Sequence, residues 1–133
     1  MEKIVFLDRD GTINEEVNYL HRTEDLKFLP GVPEALRLLK EAGFKLVVVT
    51  NQAGVARGYY TCADVEHLHA YMNEELKKYG AEIDAFYYCP HHPVHGIGIY
   101  KKVCQCRKPG TGMFLQAEER FRIDKAHSYM IGD

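Results

Sequence analysis

Apolar residues gather in four short runs along this chain: Ile4–Leu7, Leu46–Val49, Ala85–Tyr88 and Ser128–Ile131. Short apolar runs of this kind, bounded by polar and turn-forming residues, predict buried strands. Between them the spacing becomes helical. From Pro33 to Ala42, Ala35, Leu36, Leu38 and Leu39 make an apolar face, with Pro in the first turn and Gly43 as the stop. Thr61 stands as an N-cap with Asp64 three residues on. Val65, Leu68, Met72, Leu76 and Tyr79 then follow on one stripe until Gly80 ends the helix. A third helix is predicted over about Gly112 to Phe121.

Strands that alternate with helices predict βαβ units, hence an α/β fold: a Rossmann-like parallel sheet with helices on both faces. No repeat, low-complexity tract or Ser/Gly linker divides the sequence, so residues 1–133 are read as one domain. In such sheets chemistry collects beyond the carboxyl ends of the strands. The polar residues following the four runs are Asp8 and Asp10, Thr50 and Asn51, Cys89 and His91, and Asp133. Asp133 comes straight after the fourth strand, where a helix and a further strand are expected, so the domain is read as truncated at its C-terminus.

Composition narrows the partners. A hydrophobic fraction of 46% and a charged fraction of 27% are ordinary for a globular protein. The net charge of −2 gives no basis for steering toward nucleic acid or a membrane surface. No apolar run approaches the ~20 residues of a membrane span, and the N-terminal apolar run is too short for a signal peptide. The expected address is cytoplasmic. Among the four cysteines, Cys104 and Cys106 are two residues apart, a separation that strongly disfavours a disulfide between them. Metal-bound thiolates in a reducing compartment fit better than a disulfide framework.

Asp8-Arg9-Asp10-Gly11-Thr12 follows the first strand. Two carboxylates at such a strand end converge on a small volume, and they repel unless a cation sits between them. A hard, oxygen-lined site suits Mg²⁺. Alone, an Asp-x-Asp reads first as an acidic turn, Thr50-Asn51 as turn chemistry and Lys108 as a solvated charge; the apolar strand before, Gly-Thr after and the distant Thr-Asn reverse that order for the Asp pair. A second cluster is formed by Cys89-Pro90-His91 and, after an interval of twelve residues, Cys104-Gln105-Cys106. Three thiols and one imidazole suit a closed tetrahedral Zn²⁺ within a loop over 89–106. Cys62 is read as a packed or partly exposed thiol outside this set.

Phe6-Leu7-Asp8-Arg9-Asp10-Gly11-Thr12-Ile13 resembles the first motif of the haloacid-dehalogenase phosphatases. Val48-Val49-Thr50-Asn51-Gln52 resembles the second, Arg107-Lys108-Pro109 the third, and Met130-Ile131-Gly132-Asp133 the start of the fourth, all in order. The resemblance implies that Asp8 is the nucleophile and Asp10 the acid/base, which requires Asp10 to hold a proton when the leaving group departs. It implies that Thr50, Asn51 and Lys108 meet the transferring phosphoryl group, and that Mg²⁺ takes Asp8, the Asp10 carbonyl and Asp133. Zinc, held by Cys89, His91, Cys104 and Cys106, then fixes the backbone that aims Arg107 and Lys108.

The Cys-Pro-His-His-Pro and Cys-x-Cys-Arg-Lys-Pro segments and Thr-Asn-Gln-Ala-Gly-Val-Ala-Arg-Gly resemble the D-glycero-D-manno-heptose 1,7-bisphosphate 7-phosphatases, which serve nucleotide-activated heptose biosynthesis. That resemblance implies a minimal cap, a monomer, and a small phosphorylated sugar as substrate. The matching rim positions are Glu16, Val17, Asn18, Tyr19, Gln52, Ala53 and Arg107, with Arg107 suited to the second phosphate. Arg57 either lines that rim or anchors its loop. Histidinol-phosphate phosphatases share the motifs with a shorter interval between the metal pairs. From another class, a zinc-stabilised binding module leaves Asp8, Asp10, Thr50 and Lys108 without a role.

Overall fold

The computed structural model describes residues 1–17, 19–91, 98, 108 and 112–132. In chain order the regular elements are β1 (Ile4–Leu7), α1 (Val32–Glu41), β2 (Lys45–Asn51), α2 (Ala53–Ala56), α3 (Cys62–Lys77), β3 (Ala85–Cys89), α4 (Gly112–Arg120) and β4 (Tyr129–Ile131). The strands form one parallel sheet in the order β3-β2-β1-β4. This is the α/β arrangement that the alternating pattern predicts.

Side-chain alternation divides the core into two layers, because successive residues of a strand face opposite sides. Val5, Leu7, Leu46 and Val48 point to one face, where Leu36 of α1 and Met72 and Leu76 of α3 cover them. Ile4, Phe6, Val47 and Val49 point to the other, against Met113, Ala117 and Phe121. A strand buried on both faces reads as a continuous apolar run, which is why β1 and β2 stand out in the sequence. Fully burying one such side chain contributes roughly 1.5–3 kcal/mol.

The chain steps from β1 to β2 to β3 in one direction, then α4 carries it back so that β4 pairs with the far side of β1. The order therefore reverses between β1 and β4. Ligands in open parallel sheets bind at such a reversal, beyond the carboxyl ends of the two strands. Those ends here are Leu7 and Ile131.

Helix boundaries follow local chemistry. The α3 start is a capping box: Asp64 N–H donates to Thr61 Oγ1 (3.1 Å) and Thr61 N–H to Asp64 Oδ2 (2.9 Å). Its far end is tied to the loop before β3 by Asn73, which accepts from Ile83 N–H (2.6 Å) and donates to the Ile83 carbonyl (3.1 Å).

Several local expectations change. Of the α1 stripe, Leu36 is buried and Leu39 partly buried, but Ala35 and Leu38 are exposed. Leu38 lies about 200° around the helix from Leu36, so one apolar stripe cannot hold both. Tyr79 also leaves its predicted stripe: α3 ends at Lys77, and Tyr79 is solvent-exposed. β2 runs two residues past Val49 because Thr50 and Asn51 pair with Tyr88 and Cys89 of β3, which itself reaches Cys89. β4 starts at Tyr129, one residue later than expected, and the predicted third helix stops at Arg120. The short α2, directly after β2, has no counterpart in the sequence pattern.

Candidate active site

Asp8 takes its position from the sheet. Its N–H donates to the Ile131 carbonyl (3.0 Å), continuing the β1–β4 ladder one residue beyond β1. The carboxylate thus stands at the reversal point. Oδ1 accepts the Arg9 N–H (2.9 Å) and lies 3.2 Å from Lys108 Nζ. That ammonium also donates to the Val49 carbonyl of β2 (3.1 Å), so it bridges two strand ends. Gly132 closes the site from β4, with φ +112°, a backbone region that side-chain-bearing residues rarely enter. A Cβ there would stand 2.6 Å from Asp8 Cβ and 2.8 Å from Thr12 Oγ1, closer than packing permits.

Asp10 is turned toward a different cation. The turn after it is built on the Arg9 carbonyl, which accepts the N–H of Thr12 (3.2 Å), Ile13 (2.8 Å) and Asn14 (3.4 Å). Arg9 Nε donates to Asp10 Oδ1 (3.2 Å), and Nη2 reaches Oδ1 (3.0 Å) and Oδ2 (3.2 Å). Asn14 Nδ2 (3.1 Å) and Gln52 Nε2 (3.3 Å) complete the donors around this carboxylate. Arg9 itself is fully buried, at 0% exposure. Its other contacts are the Leu20 carbonyl (3.3 Å), Gln52 Oε1 (3.3 Å) and, through Nη1, His69 Nε2 (3.1 Å). Burial, reinforced by the Arg9 charge, pushes the His69 imidazole down to about 3, so its ring is neutral at ordinary pH.

Gln52 sits between these groups and the rim. Its Nε2 donates to Thr50 Oγ1 (3.0 Å) and its Oε1 accepts from Tyr60 Oη (2.6 Å). Burial pushes the Tyr60 phenol up to about 12, so it remains a donor. Gly54 permits that bond, since a Cβ at this position would stand 2.2 Å from the Tyr60 ring. Thr50 and Gln52 are almost completely buried, and each bonds to the other at the floor of the site.

A cleft of about 330 Å³ opens beside Asp10. Of the predicted rim residues, Glu16, Val17, Tyr19, Asn51, Gln52 and Ala53 line it. Tyr19 adopts φ +57°, strained for an aromatic residue, and packs edge-on against Tyr59 at 4.7 Å. The Arg57 guanidinium stands 5.9 Å from the Tyr19 ring, and its Nε is buried with no hydrogen-bond partner among the described residues. Arg57 thus stands beside the rim residue Tyr19 and does not itself line the cleft. Asn18 and Arg107 lie outside the described residues.

Among the described residues, no three metal-ligating side chains gather in one place. Cys104, Cys106 and Asp133 fall outside that description. The remaining candidates fit their metals. Cys89 Sγ and His91 Nδ1 are 3.7 Å apart. Two ligands of one tetrahedral zinc are separated by about 3.5 Å. For magnesium, the Asp8 carboxylate and Asp10 carbonyl are hard oxygen donors at one strand end.

Sequence reasoning missed four residues of this centre. Arg9 occupied the unassigned middle position of Asp-x-Asp, while Asn14, Tyr60 and His69 received no role. A signal existed for His69: it falls beside Leu68 on the core stripe of α3, and a buried imidazole requires a partner.

Known proteins share this architecture. Residues 3–133 match the family model described as polynucleotide kinase 3 phosphatase. A D-glycero-beta-D-manno-heptose-1,7-bisphosphate 7-phosphatase from Escherichia coli O6:H1 is 50% identical over 97% of this chain and 68% of its own length. The protein of the same name from Haemophilus influenzae is 47% identical over 100% of this chain and 72% of its own. The solved D,D-heptose 1,7-bisphosphate phosphatase from B. bronchiseptica, complexed with magnesium and phosphate, superposes with a TM-score of 0.84 at 34% identity, covering 98% of this chain and 70% of that one. A structure from Mesorhizobium loti described as a had-like phosphatase reaches 0.91 at 33% identity, over 99% of this chain and 63% of that one. The chain thus spans roughly two thirds of the length of these relatives.

The fold is that of the haloacid-dehalogenase-like phosphatases. The chain belongs to the polynucleotide kinase 3 phosphatase family, and its relatives at about half identity are heptose bisphosphate phosphatases by name.

Proposed function

We propose that this protein is a Mg²⁺-dependent phosphatase that removes the 7-phosphate of D-glycero-D-manno-heptose 1,7-bisphosphate, in the supply of nucleotide-activated heptose. The observation that carries the reading is the Asp8–Lys108 pair, 3.2 Å apart where the strand order reverses and next to a cleft lined by the motif residues. The names of the relatives and the magnesium and phosphate of the B. bronchiseptica structure supply the substrate class and the metal.

Asp8 attacks phosphorus and an aspartyl-phosphate forms as the ester oxygen leaves, which splits one hard displacement into two easier ones. Asp10 gives its proton to that oxygen and later takes one from the attacking water. Lys108 supplies positive charge as negative charge redistributes over the phosphoryl oxygens. Thr50 and Asn51 stand beside it on the same strand end. Arg57 and Arg107 are cations for the rim, with Arg107 directed to the second phosphate. Asp8, the Asp10 carbonyl and Asp133 would hold Mg²⁺, which would supply positive charge to the phosphate oxygens. Cys89, His91, Cys104 and Cys106 would hold a structural Zn²⁺, which would brace the segment ahead of Arg107 and Lys108. The working state proposed is a cytoplasmic monomer. Among the described residues no helix is long and apolar enough to cross a membrane.

The test is phosphate release, with Mg²⁺, from the heptose bisphosphate and from histidinol phosphate in parallel. A clear preference for the bisphosphate is expected. Preference for histidinol phosphate would replace the substrate and keep the mechanism. Release from neither, by folded and metal-loaded protein, would remove the enzymatic reading.

A further inference from the structure

The two carboxylates of the Asp8–Asp10 motif are served by separate cations. Lys108 stands on Asp8, and Arg9 stands on Asp10. The second pair has an unusual foundation. A guanidinium carries donors only and keeps its charge, so complete burial is costly unless each N–H finds an acceptor. Arg9 places its Nε on Asp10, its Nη2 on Asp10, Leu20 and Gln52, and its Nη1 on His69. His69 comes from α3, sixty residues away, and is itself 4% exposed.

We propose that Arg9, seated on His69, is a positioning residue that sets the orientation of the Asp10 carboxyl for proton transfer to the leaving oxygen. The inference rests on the role of Asp10 proposed above. Because Arg9 Nη1 can only donate, His69 Nε2 must present its lone pair, and the ring must be neutral. Phe86 fixes the plane of that ring, stacked at 4.4 Å and 15°. Tyr88 closes it edge-on at 6.0 Å. Burial and the neighbouring positive charge both favour the neutral imidazole. The guanidinium plane is thus held at one end by a locked acceptor and grips both oxygens of Asp10 at the other. Without the acceptor, Nη1–H is buried and unpaired, and the guanidinium must shift to recover a partner, taking Asp10 with it.

Leaving-group dependence separates this role from a merely structural one. A sugar phosphate has a poor leaving alcohol and needs the proton, whereas p-nitrophenyl phosphate leaves without one. kcat/KM reports the steps through departure of that first product. His69→Phe, which keeps the aromatic stack and removes the acceptor, should lower kcat/KM for the sugar bisphosphate about tenfold or more. The loss with p-nitrophenyl phosphate should be less than about threefold, because that ester escapes the general-acid requirement. His69→Gln, which restores an acceptor, should recover most of the difference. If His69→Phe does not fold, Arg9→Lys decides by the same ratio, since it keeps the charge and loses the two-pronged grip.

Asp10→Asn is the reference. If it shows the asymmetry while His69→Phe and Arg9→Lys lower both substrates equally, the positioning proposal is overturned and the function stands. If Asp10→Asn lowers both equally, or the wild type cleaves neither ester, the acid assignment fails and the proposal falls with it.

Discussion

The Asn51 side chain brackets the backbone of Lys108: its Oδ1 accepts the Lys108 N–H at 2.9 Å, and its Nδ2 donates to the Lys108 carbonyl at 3.3 Å. An amide can satisfy one residue's N–H and C=O together, as Asn73 does with Ile83. Here the clamp joins the end of β2 to the residue whose ammonium lies on Asp8. Asn51 thus holds in place the residue that carries this cation. Asn51→Ala should reduce kcat by about tenfold to a hundredfold through misplacement of Lys108. Steady-state kinetics check this, and an unchanged kcat would show that Lys108 holds its place unaided.

Lys108→Met tests the charge itself. The variant keeps the length of the side chain and removes the ammonium from both Asp8 and the Val49 carbonyl. Loss of one such electrostatic contact to a transferring group typically costs about 10²–10³ in kcat. Asp8→Asn should go further and abolish labelling of the protein by substrate phosphate. A labelled Asp8→Asn protein would place the nucleophile elsewhere.

Gly132→Ala probes the wall behind the nucleophile. The added methyl meets Asp8 Cβ at 2.6 Å in a backbone conformation already hostile to alanine. Strain of this kind costs about 1–3 kcal/mol before any displacement of Asp8 is counted. The expected outcome is a lower midpoint in urea together with reduced turnover. A variant with wild-type stability and rate would mean that β4 relaxes freely away from Asp8.

Metal content tests the zinc loop. Purified protein should carry one Zn²⁺ per chain by elemental analysis, since Cys89 and His91 already stand at ligand spacing. Cys106→Ala should lose that zinc and lower turnover while leaving the Mg²⁺ dependence of the residual activity in place. Full activity in zinc-free protein would sever the link between the loop and the site.

The fold was legible because buried parallel strands and amphipathic helices write different periods into a chain. Ile4–Leu7 needed no correction, and Thr61 with Asp64 announced the start of α3 correctly. Asp8, Asp10, Thr50 and Lys108 could be grouped because each sits at or near a strand end or in a motif of known order. What stayed hidden was the internal support. A charge is ordinarily read as solvated, yet Arg9 lies under Asp10 at 0% exposure. His69 and Tyr60 meet the site only through the tertiary path of α3 and the preceding turn, which no local period encodes. The resemblance gives Gln52 a place on the rim, which it lines, while its bonds to Thr50 and Tyr60 are visible only in three dimensions.

The buried histidine makes stability depend on pH in a calculable direction. In the folded protein the His69 imidazole titrates near 3, against 6.5 in an exposed chain. Between those values the unfolded chain binds the proton and the folded protein does not, so acid favours unfolding. Stability contributed by the neutral ring is complete above about pH 6.5 and is lost progressively as pH falls toward 3. The slope from one such group approaches ~1.4 kcal/mol per pH unit inside the window. The charged group facing His69 is Arg9, which keeps its charge throughout and opposes protonation. His69→Gln removes the titration and preserves an acceptor, so its unfolding free energy should fall less steeply than that of the wild type between pH 6 and pH 4. Urea titrations of both proteins across that range supply the comparison, because carboxylates common to the two cancel. Parallel curves would mean that His69 takes up its proton in the folded state, and the buried acceptor under Arg9 would then have to be another group.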